Sequence, residues 1–595
     1  MDQKRLFLAI AISLAILMGF QALMPKKPAV TAQRPDGQPT ATQQPAGTAT
    51  GPATQGVRAP TVVAVPREVP RVKIEAPSVS GSISLLGARI DDLVLLSYRE
   101  TIEPNSPNVR LLEPRVEPQP YYIQYGWSAA IGTTAKVPDS DTVWIASGAT
   151  LTPDKPVVLS WDNGAGLVFE IEIRIDDRYM FAVEQRVQNN TGAEIQLFPW
   201  GRIRRDYKPA LQGYYVLFEG LFGVMNGRLQ ETGYDKVKTE AERRDTSRRA
   251  DGKDAEGIAF DATTAGGWAG MTDKYWLTAL VANAAVPTTV AFRHLPGTGT
   301  GPAADNFQVD FRTADAQTIA PGARGALPTH VFAGAKVVRV LQDYEARLNI
   351  PMFDYAVDWG WFWFLTRPIF AAIDWLNVHL GNFGLAIIVF TVFAKAVFFP
   401  LANYSYRSMS KMKLLAPKMT ELREKYKEDP QRMQKEVMGL YREEKVNPAS
   451  GCLPVVVQIP VFFSLYKVIF VTIEMRHAPF FGWIRDLSAV DPTNVFNLFG
   501  LIPIDPSHYV SLLHIGVWPL LMGITMWAQM KLNPPPPDPV QAKLFQLMPI
   551  GFTFMLAGFP AGLVIYWTTN NLLSICQQWV IQKRTTLPKP NLAKV

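Results

Sequence analysis

The sequence predicts a multi-pass α-helical membrane protein with six transmembrane helices, five of them forming a C-terminal core. It adds a large β-sandwich domain on the far side of the membrane and a cytoplasmic helical hairpin. Three observations predict this. Apolar runs of about 20 residues, the length that spans a bilayer core, open the chain and recur in its last third. Strict apolar/polar alternation fills the region between. A basic segment inside the last third carries apolar residues at helical spacing. The composition agrees: 595 residues, 48% hydrophobic, 19% charged, a net charge of +7 and a mean hydropathy of +0.03. Those values exclude a disordered chain, and so small a net charge gives no sign of a specific nucleic-acid partner. The two cysteines, Cys452 and Cys576, exclude a disulfide framework and a four-cysteine zinc site. No HExxH, Walker A or GxSxG motif is present, so no catalytic residues, metal ligands or cofactor site are assigned.

Residues 1–24 open with Lys4-Arg5 and continue with the apolar run Leu6–Met24, which rises about 28 Å as a helix. The run exceeds the apolar region of a cleaved signal peptide and is followed by Pro25-Lys26-Lys27, so it reads as an uncleaved anchor. Cleavage at Val30-Thr31-Ala32 is the alternative. Residues 25–59, rich in Pro, Ala, Thr, Gln and Gly, form a flexible linker. Residues 60–345 are the β domain. Phe169, Ile171, Ile173 and Ile175 alternate with Glu170, Glu172 and Arg174, as in a strand with one buried face. Asp162-Asn163-Gly164 is a hairpin turn before it, and Phe181 and Val183 begin the next strand. The charged stretch 236–254 reads as an exposed loop. Trp161, Trp268 and Trp276 are either core residues or a sugar-binding platform.

Residues 346–382, with Trp359, Trp361, Trp363 and Trp375, suit an amphipathic helix at the membrane interface, interrupted by Arg367-Pro368. The spans follow at 383–402, 453–473, 510–530, 544–557 and 562–581, the fifth extendable through Gln541-Ala542-Lys543. Segment 403–450 holds 11 Lys/Arg and the tail 582–595 holds four, whereas 474–509 holds two. Excess positive charge places 403–452, the connection 531–543 and the tail in the cytoplasm. Six spans put the N-terminus there too, and the β domain and the loop 474–509 outside. In the cytoplasmic segment, Met412, Leu415, Met419, Leu422 and Tyr426 form one helical stripe. Asp429-Pro430 starts a second helix with the stripe Met433, Val437 and Leu440. The stripes either pair with each other or meet a ribosome or nascent chain.

Polar residues recur at one depth in three spans: Lys395; Gln458; and Asn570, Asn571, Gln577 and Gln578. Charge in a membrane usually faces a bundle interior or wet cavity. Lys395 either does so or snorkels to the cytoplasmic interface. The amides either line a cavity or bond helices together. Phe462, Phe463, Tyr566 and Trp567 make the outer half of these spans aromatic.

Val446-Asn447-Pro448-Ala449-Ser450-Gly451-Cys452-Leu453-Pro454, then Gln458-Ile459-Pro460-Val461-Phe462, resemble the YidC family of membrane insertases, with its mitochondrial and chloroplast relatives. Phe559-Pro560-Ala561-Gly562-Leu563-Val564 before Tyr566-Trp567 and Asn571 is similar to the family's last span. The likeness covers 350–584, and the anchor and β domain resemble the Gram-negative branch. It implies an inner-membrane insertase and chaperone for nascent membrane proteins, working alone or with the Sec translocon, with the ribosome and membrane lipids as further partners and no cofactor. The periplasmic domain would be a sugar-enzyme-like sandwich without established catalysis. The resemblance also implies a hydrophilic groove open to cytoplasm and lipid (Lys395, Thr391, Gln458, Asn570, Asn571). A hydrophobic slide (Pro460, Phe462, Phe463, Tyr566, Trp567) and a substrate-recruiting cytoplasmic hairpin complete the expectation. The family's groove cation is typically Arg, and Lys395 stands at that position. Residues 493–509 look like an insertion.

Overall fold

The computed structural model describes residues 69–584 except 212–216, 298, 300, 427–428, 445, 448–452, 503–512 and 534–538. The expected anchor, the linker and nearly all of the tail lie outside the described residues, as does Cys452.

The alternating segment forms strand Leu167–Ile175, whose Phe169, Ile171, Ile173 and Ile175 are buried. It pairs antiparallel with Val157–Asp162 through the expected turn, where Gly164 takes φ +70° and the Asp162 carboxylate accepts from its N–H at 2.8 Å. On the other side it pairs with Met180–Asn189, setting Val183 opposite Ile173 and Val187 opposite Phe169. These strands belong to a nine-stranded sheet among the described residues, and an eleven-stranded sheet faces it. All described strand pairs are antiparallel except Arg71–Glu75 with Thr150–Leu151. Between the sheets lie Tyr121, Phe169, Phe181, Phe292, Phe307 and Phe332, each fully buried. Each contributes roughly 1.5–3 kcal/mol of transfer free energy. Trp268 is also core: its ring edge meets Phe222 and Phe353, and its N–H donates to the Pro351 carbonyl at 3.0 Å.

Ten described α-helices accompany the sheets. The stretch expected as an exposed loop is helical: α1, Tyr234–Ala250. Its apolar signal is too sparse to register, because only Tyr234, Val237 and Ala241 are buried, at spacings of three and four. The charges serve the helix surface, with Arg243 on Glu240 (2.9 Å) and Arg244 on Asp261 (2.6 Å). After the last long strand come α2 (Val338–Leu348) and α3 (Trp363–Leu380). Pro368 does not interrupt α3; it lies within the first two turns, where a missing N–H costs one hydrogen bond. Trp361, Trp363 and Trp375 are exposed, whereas Trp359 is buried and donates to the Asp354 carbonyl.

The remaining helices are α4 (Phe383–Val397), α5 (Phe399–Lys425), α6 (Pro430–Glu443), α7 (Leu453–Val471), α8 (Val517–Leu532), α9 (Pro539–Leu556) and α10 (Ala561–Arg584). The expected span 383–402 is broken. The chain bends 65° between α4 and α5, because Pro400 at the start of α5 cannot continue the preceding helix. Helix α8 begins later than the span 510–530. Among the described residues no single helix is both long and apolar enough to cross a membrane, although the bent pair Phe383–Val397 with Phe399–Met412 is. Helix α10 has the length, but its amides and terminal Lys583-Arg584 lower its hydropathy.

Candidate functional site

A cavity opens where α4, α5, α7 and α10 meet, its empty space about 540 Å³ including the open mouth, lined by Thr391, Lys395, Gln458, Asn570 and Gln577 among apolar neighbours such as Val461 and Leu401. Lys395 projects from the last turn of α4, and its Nζ donates to the Ser574 hydroxyl at 2.8 Å. Its backbone carbonyl accepts from the Gln577 amide at 3.2 Å, joining α4 to α10 twice at one residue. Among the described residues no carboxylate lies within ion-pair distance of Lys395, so the cation is held by neutral oxygen. Thr391, one turn earlier, is buried and bonds its hydroxyl back to the Ile387 carbonyl at 2.6 Å. Gln458 donates to the Tyr566 hydroxyl.

Four of the five expected groove residues therefore share one cavity, and Asn571 does not. It is buried on the neighbouring face of α10 and donates to Thr525 of α8 at 3.3 Å. Gln578, seven residues on, donates to Asn533 at 3.0 Å. The helical period separates two polar stripes on α10: Asn570 and Gln577 line the cavity with Ser574 between them bonded to Lys395, while Asn571 and Gln578 fasten α8. That period was available in the sequence and would have added Ser574 to the polar residues already singled out on this helix.

The expected slide also divides. Phe462 meets Trp567 edge-on at 4.6 Å, Trp567 meets Phe552 of α9 at 5.8 Å, and Phe463 is 43% exposed. Pro460 is half-buried within α7. Tyr566, expected beside them, is instead a cavity wall, turned inward by its bond to Gln458. Exposed apolar residues on α7 (Val456, Ile459) and α9 (Leu547, Ile550) provide an outward greasy face.

In the hairpin, Leu415 and Met419 are buried, while Met412, Leu422 and Tyr426 are half-buried. Met433, Val437 and Leu440 are the half-buried positions along the middle of α6, and Tyr441 bonds the Met419 sulfur at 3.2 Å. The Tyr441–Met419 bond joins the two helices. The Asp429 carboxylate caps α6 by accepting from Arg432 N at 3.0 Å.

The arrangement is a mostly apolar cavity carrying a few polar side chains and a cation with no carboxylate partner among the described residues, flanked by apolar helix faces. It can solvate a polar peptide segment beside a hydrophobic one, and among the described residues no group of His, Cys, Asp and Glu could hold a metal ion.

Residues 71–372 match the family described as the YidC periplasmic domain, and residues 375–589 match the 60Kd inner membrane protein family. The membrane protein insertase YidC of Granulibacter bethesdensis is 56% identical over 599 residues, covering all of both chains. That of Acidiphilium cryptum is 52% identical, covering 87% of this chain and 85% of its own. Among solved structures, an active YidC insertase with its first transmembrane domain resolved aligns at 15% identity, over 86% of this chain and 92% of its own, with a TM-score of 0.34. With both of its halves matched and a relative aligned from end to end, the chain belongs to the YidC family of membrane protein insertases.

Proposed function

We propose that this chain inserts nascent integral membrane proteins into the bacterial inner membrane and helps them fold, alone or with the Sec translocon. The reading continues with six spans, both termini and the α5–α6 hairpin in the cytoplasm, and the sandwich in the periplasm. The ribosome would meet the hairpin side and lipid the exposed faces of α7 and α9. A substrate helix of about 15 apolar residues gains roughly 5–9 kcal/mol on insertion, and two crossing charges cost roughly 5–7 kcal/mol. Those terms nearly cancel, so a cavity that partly solvates the charges decides the outcome without a nucleotide. The observation that carries this reading is Lys395, a cation whose Nζ is held by the Ser574 hydroxyl, with no carboxylate partner among the described residues, in a mostly apolar cavity ready for an acidic group arriving in a substrate tail.

The test is depletion of the endogenous insertase and rescue with this chain, scoring insertion of a single-span substrate with an acidic translocated tail. Rescue by the wild-type chain is expected, with Lys395→Glu slower than Lys395→Ala and both slower than wild type. Wild-type rates from both variants would remove Lys395 from the mechanism, and failure of the wild-type chain to rescue would remove the function.

A further inference from the structure

Helix α7 contributes Gln458 and Val461 to the cavity, and nine residues beyond Gln458 it carries a second cation, Lys467. Nine residues are about 13.5 Å of rise and half a turn of net rotation, so the two side chains leave opposite faces of the helix. Lys467 is only 11% exposed, and its Nζ lies 2.6 Å from the Asp358 carboxylate, itself largely buried. Asp358 is in turn fixed by the Phe218 N–H (2.9 Å) and the Gly360 N–H (3.1 Å). Gly360 has φ +70°, and a Cβ there would fall 2.8 Å from Lys467 Cε, so the backbone closes directly over the lysine methylenes. One turn past the end of α7, Glu474 accepts from Val338 N at 2.9 Å. The single connection from the last sandwich strand to α3 thus grips α7 at Lys467 and the turn that follows the helix at Glu474. From the sandwich, Lys274 sits 3.6 Å over the Phe470 ring, and Arg476 donates to the Arg99 and Glu100 carbonyls.

We propose that the Lys467–Asp358 pair is a positioning device for the insertase cavity. It fixes the rotation of α7, so that Gln458 faces Lys395 while Phe463 faces outward. This rests on the insertase reading. A helix held by dispersion alone can turn at little cost, whereas a desolvated ion pair holds one geometry because any other leaves a buried charge uncompensated.

The test uses the full chain in membranes. Single variants leave one charge of the pair buried alone and can fail to fold, so the informative variant is the double Lys467→Met/Asp358→Asn, which removes both charges of the pair together. Two readouts are taken: insertion of a single-span substrate, and the ratio of maleimide labelling at Val457→Cys, which lines the cavity, to that at Phe463→Cys. The double variant is expected to accumulate normally while insertion falls on the order of fivefold, equivalent to about 1 kcal/mol, and the two labelling rates converge. Lys467→Arg, which keeps the pair, is expected to preserve both readouts. Wild-type insertion with unchanged labelling in the double variant overturns the proposal, as does loss of both readouts in Lys467→Arg. If the wild-type chain fails to insert substrate, the functional reading fails, and the labelling ratio still decides whether the pair orients α7.

Discussion

Replacing Glu474 with Gln should abolish a stability gradient between pH 4.5 and pH 7. Glu474 sits beyond the last turn of α7 with one carboxylate oxygen on Val338 N at 2.9 Å, while the other, Oε2, is buried with no partner among the described residues. Burial pushes its pKa up from 4.5 to about 7, against the pull of the Val338 N–H. The charged groups facing it are Asp374, which raises it further, and Arg339, which lowers it. A carboxyl that holds its proton more tightly when folded binds more protons in the native than in the unfolded chain across this interval. Stability therefore falls as pH rises from 4.5 to 7. The accumulated penalty is about 3 kcal/mol at pH 7 and under about 1 kcal/mol at pH 5. For a domain of this size that is on the order of 6 °C in melting temperature. The assay is thermal unfolding of the purified protein in nanodiscs at half-unit steps from pH 4.5 to 8, followed by tryptophan fluorescence. Glu474→Gln keeps the acceptor for Val338 N and removes the ionisation, so the difference between wild type and variant should shift steadily in the variant's favour as pH rises. A constant difference across the series would refute the argument.

Two further expectations concern stability. Arg205 is buried, stacks 4.0 Å from the centre of the Tyr121 ring, donates to Tyr234, and forms a two-pronged ion pair with Asp273 at 2.9 and 2.8 Å. Arg205→Met should cost roughly 3 kcal/mol in urea unfolding, near the low end for breaking a buried pair because Asp273 retains some contact with water. Asp429→Ala removes the cap of α6 and should cost about 1 kcal/mol, read as faster hydrogen exchange at the Arg432 amide with the sandwich unaffected.

Local periodicity was enough to define the sandwich strands, the Asn163-Gly164 turn, the hairpin stripes and the Asp429 cap, because each depends on residues within a few positions of one another. The alternation at Phe169–Ile175 has one reading as a buried-face strand whatever it packs against, and the polar residues that line the cavity are conspicuous in apolar runs before any helix is placed. What the sequence left open depended on neighbours distant in the chain. Helix α1 is held by three buried side chains and ion pairs to another strand, too little local signal to separate it from a loop. Asn570 and Asn571 are adjacent and chemically identical, yet one lines the cavity and the other fastens α8, because successive positions on a helix point about 100° apart and only packing says which direction is occupied. Tyr566 reads as another aromatic of the slide until Gln458, more than a hundred residues earlier, turns it inward. Lys467 gives no local sign of its role, since its meaning lies in Asp358, on a connection the chain reaches only after leaving the sandwich. Chain order set the character of each segment; close packing of four helices and one connection set which of their polar groups meet.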